Sequence, residues 1–599
     1  MGLMQQAYYT YCTLEKKHAG QYLAEDKRPL APILHQITKA DLEITLNSEG
    51  ELLSARREGT SDSSIIIPVT EKSAGRTGEN SNAHPLCDKI CYLSPQFPEK
   101  YTAYLTQLHS WENSPFNHPK LFSIARYVEK GTILTDLQRL GLLELGVNGL
   151  PVNENDKKLF VCWRVESGLE NDIAECWKDQ TLFRAWIAYY ESQQDPAKYY
   201  CMVSGEYTVP ALQHPKNIIS TRASAKLISA NDSSGFTYRG RFSNDRQALT
   251  IGCEVSQKAH SALSWLIANQ AVIFGKRVFL CWSPQGVQLP SMTAPILQQT
   301  EVIRKPSDYK QALYNKLKNL KGDLPADASA VIASFDAATK GRMSLTYYGE
   351  MHASDFLERL QEWDASCQWL NGPSSIMSPS LAQIVSYAFG TPQTDKGQTE
   401  PKVDEHVMSR QIQRLVFCRV NKQRIPPDIE LALVRKSSNL QLFNYSARDT
   451  LLFTACAVIR KYHYDRNGEE WNMALEPDKH DISYQYGRLL AILEKIERDT
   501  YDKEESREPN AIRMQTVYTQ RPLHTSRIIM EQLKNAYYRQ LKPASRIYYD
   551  RLIGEIEDHI SDFPEAEQNR PLGDTYLLGY YLQRNELYKS KAEEKKTEE

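Results

Sequence analysis

The sequence lacks an excess of charge of either sign, a long apolar run and a paired-cysteine motif. Its 72 basic and 74 acidic residues leave a formal net charge of −2, so overall charge selects no class of partner and any nucleic-acid surface must be a local patch. No run approaches the roughly 18 apolar residues of a membrane span, and the N-terminus lacks the pattern of a secretory signal. We therefore expect a cytoplasmic protein without membrane contact.

The eleven cysteines are scattered and form no CxxC pair. In a chain without a secretory signal, this pattern predicts a reduced protein whose thiols are mostly buried. His84, Cys87 and Cys91 have a spacing compatible with zinc, but a structural zinc site needs four ligands and no fourth lies nearby. We therefore expect no metal site and no cofactor.

The common catalytic motifs GxGxxG, Walker A, HExxH and GxSxG are missing. Two weaker patterns leave a metal-dependent nuclease open as an alternative: His480-Asp481, and Asp428 with Glu430 in the run PPDIE. A lone His-Asp pair ahead of a helix is more often a helix N-cap, here formed by Asp481. The sequence favours a protein without catalytic residues.

The pattern of apolar residues predicts an α+β fold with a β-rich N-terminal and middle region. One helix is predicted over His260–Asn269, and the polar, proline-containing stretch Thr391–Val403 reads as an exposed loop. The predicted strands are Ser63–Val69, Ile90–Pro95, Lys158–Val165, Tyr199–Gly205, Arg277–Trp282 and Arg342–Tyr348.

From about Leu440 the apolar period becomes helical, which predicts a C-terminal α-helical bundle. We divide the chain into an N-terminal α+β domain (1–240), a middle α+β region (241–439), the bundle (440–590) and a disordered tail (591–599). The bundle helices are predicted over Leu451–Tyr462, Ile482–Asp499, Ser526–Leu541, Ile547–Ile560 and Thr575–Tyr588.

Positive charge is concentrated within the predicted bundle. Between Arg513 and Arg551 there are eight basic residues and two acids, with tyrosines interleaved. Cations that follow phosphates and rings that stack on bases are what single-strand binding needs. The alternative is a solvated helix face with its tyrosines in the core. We call the following set the bundle patch: Arg521, Arg527, Lys534, Arg539, Lys542, Arg546, Arg551, Tyr538 and Tyr548.

A second basic stretch, at 304–322, contains one acid, Asp308. A solvated helix that carries lysines and a phosphate-binding helix explain it equally well. The residues that would contact phosphate, called the second patch below, are Arg304, Lys305, Lys316, Lys318 and Lys321.

The loop at 72–89 is rich in small and polar residues between two predicted strands. A glycine-rich connection of this kind is commonly just a mobile hairpin. However, small residues allow the backbone close to a DNA groove, asparagine amides donate and accept hydrogen bonds, and an arginine can enter the minor groove. The candidate DNA-binding residues are Lys72, Arg76, Thr77, Asn80, Asn82 and Lys89.

The 72–89 loop ends in Leu86-Cys87-Asp88-Lys89, and Tyr92-Leu93 follows. Further segments come in order: Cys201–Gly205, His214-Pro215-Lys216, Ala225–Asn231, Phe236–Gly240, Arg342–Leu345, Tyr484–Asp499, Tyr548–Asp558 and Leu577–Tyr588. Together they resemble the Csd-type large subunit of the type I-C CRISPR surveillance complex (Cascade). The resemblance spans nearly the whole chain, although the family has Asp-Asn at Asp88-Lys89 and a fuller SYG segment at Phe236–Gly240.

The resemblance implies a non-catalytic subunit of a crRNA-guided antiviral complex, beside the subunit that holds the crRNA 5′ handle and the backbone subunits. Similar proteins recognise the protospacer-adjacent motif in duplex DNA, promote the R-loop, hold the displaced strand and help recruit a helicase–nuclease, while base pairing reads the target. It assigns motif reading to Arg76, Thr77, Asn80 and Asn82, and flanking phosphates to Lys72 and Lys89. The bundle patch would hold the displaced strand. The alternative is a scaffold that binds only protein and crRNA.

The family also makes a small subunit from a start site inside the same gene. Gly468-Glu469-Glu470 must be encoded by purine-rich codons, which can resemble a ribosome-binding sequence, and Met473 follows shortly after. We therefore predict a mostly helical second product that covers residues 473–599.

Overall fold

The computed structural model describes residues 1–599 except 59–63, 77–81, 169, 171, 196, 220–224, 230–241, 243–244, 298–302, 340, 373–374, 396–397, 503–504, 506 and 598–599. The chain divides into two compact units. Unit one contains Met1–Ile273, Arg277–Leu289 and Ala328–Met351, and unit two contains Phe274–Lys276, Pro290–Asp327 and His352–Glu599. The boundaries that the sequence suggested, after residues 240 and 439, fall inside these units.

The first part of the chain carries mixed elements. Its helices are α1 (Leu3–His18), α2 (Glu71–Gly75), α3 (Ile90–Leu93), α4 (Pro98–Glu112), α5 (Pro119–Glu129), α6 (Ile133–Arg139), α7 (Gln180–Ser192), α8 (Asp245–Ala248) and α9 (Cys253–Gln270). Its strands are β1 (His35–Lys39), β2 (Leu42–Asn47), β3 (Leu52–Arg57), β4 (Ser64–Pro68), β5 (Val161–Glu166), β6 (Tyr199–Tyr200), β7 (Tyr207–Thr208), β8 (Val272–Phe274), β9 (Arg277–Trp282), β10 (Ser329–Thr339) and β11 (Arg342–His352).

Unit two is mainly helical. Its helices are α10 (Pro306–Gly322), α11 (Ala353–Ser366), α12 (Leu381–Phe389), α13 (Glu405–Asn421), α14 (Pro427–Ser437), α15 (Tyr445–Asn467), α16 (Ile482–Arg498), α17 (Asn510–Arg513), α18 (Gln515–Gln520), α19 (Pro522–Ala536), α20 (Pro543–Ser561) and α21 (Thr575–Thr597). Its strands are β12 (Trp369–Leu370), β13 (Ile376–Met377), β14 (Thr391–Asp395) and β15 (Gln398–Lys402). Short 3-10 helices occupy Asp156–Lys158, Leu440–Leu442 and Tyr538–Gln540. The α+β class predicted from the sequence is confirmed.

A three-stranded sheet, in the order β3-β2-β5, organises the core around the 72–89 loop. Strand β2 is parallel to β5 and antiparallel to β3, and its first five residues are all buried, which indicates that both faces of this strand are covered. Tyr104 and Trp163 donate hydrogen bonds of 2.6 and 2.8 Å to the carbonyl of Leu86. The C-terminal end of the 72–89 loop is therefore held by the core.

A second core of unit one lies between helices α1 and α9 and the four-stranded sheet β11-β10-β9-β8. Trp282 of β9 is buried and donates a 2.9 Å hydrogen bond to the hydroxyl of Thr10 in α1. Since an indole N–H needs an acceptor when it is buried, this bond fixes how α1 lies on the sheet.

In unit two, helices α16 and α21 approach each other closely at two glycines. A Cβ atom added to Gly487 would lie 1.9 Å from the carbonyl oxygen of Tyr576, and one added to Gly579 would lie 2.1 Å from that of Tyr484. Only residues without a side chain fit at such a crossing. Both glycines belong to segments that the sequence analysis singled out at the C-terminal end.

Four of the predicted bundle helices are confirmed as α15, α16, α20 and α21, whereas the one predicted over Ser526–Leu541 ends at Ala536 as α19 and is followed by a 3-10 helix. The helical region begins earlier than predicted, at α11. The strand predicted at Ile90–Pro95 is wrong, because this run forms α3. Its four helical residues, Ile90–Leu93, are all buried, and a short apolar run does not distinguish a buried helix from a strand. Helix α21 extends to Thr597, whereas the sequence predicted disorder from residue 591.

The loop predicted at Thr391–Val403 is also wrong, since β14 and β15 form a hairpin there. Pro392 lies opposite Pro401 in this two-stranded pair, and proline fits an edge position where no ladder hydrogen bond is required of it. The prediction of mostly buried thiols is confirmed, because only Cys12 is exposed and only Cys281 is half-buried among the eleven cysteines. No helix in the described part of the chain is long and apolar enough to cross a bilayer.

Candidate nucleic-acid interface

The 72–89 loop follows β4 and starts with the short helix α2. The hydroxyl of Thr70 caps this helix by accepting a 3.0 Å hydrogen bond from the backbone N–H of Ser73. Thr77 and Asn80, two of the candidate DNA-binding residues, lie outside the described residues. The structure therefore describes the two ends of the loop, from Lys72 to Arg76 and from Asn82 to Lys89.

Arg76 is buried in a bidentate ion pair with Asp88. Its guanidinium donates hydrogen bonds of 2.8 and 2.5 Å to the carboxylate and one of 3.0 Å to the carbonyl of Asn82, and it lies 4.6 Å from the ring centroid of Tyr92. The side chains of Arg76 and Asp88 are 8% and 0% exposed. Burial disfavours the charge, but hydrogen bonds and attraction from Asp88 outweigh it, so the pKa of Arg76 is raised above its ordinary value. Arg76 therefore joins the two ends of the loop. The sequence predicted that Arg76 enters a DNA groove, but its guanidinium is paired inside the protein and is not placed to do so.

Asp88 is the organising residue that the sequence analysis missed. In addition to Arg76, its carboxylate accepts hydrogen bonds from the backbone N–H groups of His84 at 2.7 Å and Lys89 at 2.8 Å. The signal was present in the sequence, because an acid between the apolar residues Cys87 and Ile90 must be paired if the segment is buried. The partner itself could not be read, since it lies twelve positions away.

His84 is a buried, neutral residue of this network. Its Nδ1 lies 3.0 Å from the hydroxyl of Ser73, and burial lowers the pKa of His84 to about 3. Within the described ranges, no group of three or more histidine, cysteine, aspartate or glutamate side chains is arranged to hold a metal ion.

Lys72 and Asn82 line one open groove of about 360 Å³, and Lys89 is not among its lining residues. The other lining residues are Thr70, Glu71, Ala83, Gln107, Tyr190 and Leu212. Burial raises the pKa of Glu71, whose carboxylate accepts a hydrogen bond from the Cys253 thiol at 3.2 Å. Lys72 is exposed, whereas Lys89 is half-buried and precedes α3. The groove thus combines a cation with amide groups that can donate and accept hydrogen bonds.

The His214-Pro215-Lys216 segment lies against the same loop. The ammonium of Lys216 donates a hydrogen bond to the carbonyl of Arg76, and His214 Nδ1 lies 2.8 Å from the hydroxyl of Ser256. Two segments that are far apart in the sequence therefore meet at the base of the loop. The segment Phe236–Gly240 lies outside the described residues.

The bundle patch lies on α19, the 3-10 helix that follows it and α20. Five of its cations are exposed and have no ion pair among the described residues, namely Arg521, Arg527, Lys534, Arg539 and Lys542. Arg527 and Lys534 are seven positions apart in α19 and share one face. Arg546 donates to the carbonyl of Leu541 at 3.2 and 3.1 Å, and Arg551 lies 3.6 Å from Glu555.

The tyrosines of this region divide into buried and exposed rings. Tyr518 and Tyr549 are 0% and 4% exposed and belong to the core. Tyr538 is half-buried and donates a 3.2 Å hydrogen bond to Asp550. Tyr548 is 40% exposed, and the guanidinium of Arg551 lies 5.9 Å from its ring centroid. Tyr548 is therefore a ring of the bundle patch on which a base can stack.

The second patch lies on and before α10, which buries Tyr309, Leu313 and Leu317. Arg304, Lys305, Lys316 and Lys318 are exposed, whereas Lys321 forms a 2.6 Å ion pair with Glu358. Tyr314, which the basic pattern of the sequence did not indicate, is 55% exposed. It lies four positions before Lys318, and this helical spacing was the signal that could have found it.

The residues considered for a nuclease have structural partners. Asp481 accepts hydrogen bonds from the N–H of Tyr484 at 2.8 Å and the hydroxyl of Thr575 at 2.9 Å, so it caps α16 as the sequence indicated. The ring of His480 stacks on Phe563 at 4.4 Å. Asp428 accepts two 2.7 Å hydrogen bonds from Arg414, and burial raises the pKa of Glu430 to about 7.

The chain matches the model of the family described as CRISPR-associated protein (Cas_Csd1) over residues 8–588. The matched range includes the 72–89 loop, the second patch, the bundle patch and both glycines of the α16–α21 crossing. No curated protein sequence matches the chain.

Proposed function

Because the chain belongs to the Csd1 family of CRISPR-associated proteins, we propose that it is the large subunit of a type I-C Cascade and contributes binding rather than catalysis. It acts in the cytoplasm without a cofactor. Its partners are the crRNA, the subunit that holds the crRNA 5′ handle, the backbone subunits and double-stranded target DNA. Pairing with the crRNA selects the target, and this subunit selects the flanking motif.

In this proposal, the 72–89 loop reads the motif and the groove beside α2 receives the DNA. Lys72 contacts a phosphate, and the Asn82 side chain or its neighbours in the loop contact base edges. Thr77 and Asn80 stay candidates from the sequence, as does Lys89 for a flanking phosphate. Readout of the minor groove distinguishes few base pairs, which suits a very short motif. Arg76 acts as a positioning residue through its ion pair with Asp88.

The bundle patch holds the displaced strand during R-loop formation and presents it to a helicase–nuclease. This proposal rests on one observation, the run of exposed cations without ion pairs among the described residues, which extends from the N-cap of α19 through α19 and the 3-10 helix to the N-cap of α20. A surface cation without a carboxylate partner keeps its full attraction for phosphate, whereas a paired one is already compensated. The exposed ring of Tyr548 adds a stacking surface.

Neutralising four of these cations tests the strand contact. We expect the assembled complex with Arg527→Gln, Lys534→Gln, Arg539→Gln and Lys542→Gln to bind single-stranded DNA more weakly and with less dependence on salt. The slope of log K against log salt is negative, and each lost contact with a single strand reduces its magnitude by about 0.7. The magnitude should therefore decrease by about 3. Fluorescence anisotropy across a salt series measures it.

The matched control is Arg466→Gln with Arg570→Gln, which neutralises two exposed cations elsewhere in unit two. Its slope should equal that of the unchanged protein. If the four-fold variant assembles normally and keeps the full slope, the bundle patch is a solvated surface and the scaffold alternative gains support.

A further inference from the structure

A cavity of about 160 Å³ in unit one contains three unsatisfied polar atoms. His35 comes from β1, and His260 and Trp265 come from α9, and all three side chains line the cavity. They are 7%, 1% and 6% exposed. His35 Nε2, His260 Nε2 and Trp265 Nε1 have no hydrogen-bond partner within the described part of the chain. A buried polar atom without a partner costs about 1–3 kcal/mol, so three in one cavity call for a ligand.

The hydrogen bonds of the two histidines fix what their free nitrogens offer. Nδ1 of His35 donates to the carbonyl of Ile33 at 2.8 Å, and Nδ1 of His260 donates to that of Ser256 at 2.6 Å. Each Nε2 therefore carries a lone pair and accepts hydrogen bonds. Burial lowers the pKa of both rings to about 4, so they are neutral near pH 7. With the indole N–H of Trp265, the cavity offers two acceptors and one donor.

Two cations complete the lining of this cavity. Arg28 has no ion pair among the described residues, and Lys216 donates to the carbonyl of Arg76 at the base of the 72–89 loop. Burial lowers the pKa of Arg28 and of Lys216 below their ordinary values. An anion in the cavity would restore the favourable environment that burial removes.

We propose that this cavity binds one nucleotide, with its base against His35, His260 and Trp265 and its phosphate toward Arg28 and Lys216. Nucleobases carry N–H donors and ring or carbonyl acceptors on one planar edge, which matches two acceptors and a donor. A cavity of about 150 Å³ holds a benzene ring, so this one takes a single base. The nucleotide is either free or one residue extruded from bound duplex DNA. Only the second source rests on the function proposed above.

The free source is tested on the purified full chain with the four deoxynucleoside and four ribonucleoside 5′-monophosphates by isothermal titration calorimetry. We expect at least one to bind. Ser264 lines the cavity, so Ser264→Phe should fill it and abolish binding. Trp265→Phe keeps an aromatic ring but removes the N–H together with the five-membered part of the indole, and should weaken binding about tenfold. Ser54→Phe on exposed β3 should change nothing. Circular dichroism confirms that each variant is folded.

The extruded source is tested on the assembled complex with duplexes that lack one base at successive positions of the motif flank. At the captured position, the abasic duplex should bind more weakly to the unchanged protein, and Ser264→Phe or Trp265→Phe should remove that difference. Such non-additivity in a double-mutant cycle is a coupling energy between the base and the cavity residue, as expected for groups in contact. If the unchanged protein shows no flank preference, the proposed function is refuted. Binding of a mononucleotide in the cavity, measured by calorimetry, does not depend on that result. If no mononucleotide binds and no position shows coupling, the cavity holds water only and the proposal is overturned.

Discussion

At the scale of single residues, the carboxylate of Asp88 holds the 72–89 loop together. It receives two hydrogen bonds from Arg76 and two from backbone N–H groups, all inside the protein. A buried ion pair is not in itself a large source of stability, but removing one partner strands the other charge away from water. The loop therefore depends on both members of the pair.

Asp88→Ala should destabilise the protein by about 3–5 kcal/mol, because it leaves the Arg76 guanidinium buried without its carboxylate. Urea unfolding measures the change in the free energy of unfolding. The control is Glu25→Ala, which removes a carboxylate that is 58% exposed and paired with Lys17 at 2.7 Å, and should have a much smaller effect because solvent screens an exposed ion pair. Equal effects of the two substitutions would contradict the role of Asp88.

The ion pair between Arg76 and Asp88 also shows which features of the loop could be predicted from the sequence. Composition located the loop with the exposed Lys72 and the half-buried Asn82, because small and polar residues between apolar runs are a local property. Arg76 was predicted to contact DNA because the sequence does not show which acidic residue forms an ion pair with it. Burial and pairing depend on tertiary contacts. These contacts decide whether a cation contacts a ligand or pairs with a carboxylate inside the protein.

At the scale of helices and strands, the crossing of α16 and α21 fixes the arrangement of the C-terminal helices. Both helices were predicted from the sequence, because their apolar residues repeat with the helical period of 3.6 residues over several turns. This period did not identify the crossing point, which depends on two glycines in different segments. The short helix α3 was not predicted, because four apolar residues are too few to show a helical period.

Gly487→Ala and Gly579→Ala should each destabilise the protein by several kcal/mol, because the new Cβ would lie within 2.1 Å of a carbonyl oxygen of the facing helix. Thermal unfolding of the full chain measures the effect. Gly554→Ala in α20 is the matched control, since its Cβ would meet nothing within 4 Å, and it should be stabilising by about 0.5–1 kcal/mol. A neutral result at Gly487 and Gly579 would mean that the helices do not meet as described.

At the scale of the whole molecule, the proposed function uses both compact units, the first for the motif and the second for the displaced strand. The proposed second product, 473–599, would begin at Met473 and contain α16 to α21 together with the complete bundle patch. It would include both crossing glycines but lack α15, whose Asp449 forms a 2.9 Å ion pair with Arg584 of α21. A second copy of the patch would extend the path available to the displaced strand.

Replacing the Met473 codon with a leucine codon that cannot start translation should abolish a short chain that co-purifies with the complex, because the internal start would be lost. Met473 is 7% exposed, and a leucine of similar volume keeps the full-length chain folded. Denaturing electrophoresis and intact-mass spectrometry detect the product. The Met408→Leu variant, at a half-buried methionine of α13, serves as control. Persistence of the short chain after Met473→Leu would refute the internal start.

The most direct test of the account is binding of the assembled complex to target duplexes whose flank is randomised, followed by sequencing of the bound fraction. The comparison is between the unchanged protein, the double variant Asn80→Ala with Asn82→Ala, and the control Asn117→Ala with Asn155→Ala, two exposed asparagines of unit one. We predict that the double variant assembles but loses the flank preference, while the control keeps it. An unchanged preference in the double variant would contradict motif reading by the asparagines of the 72–89 loop.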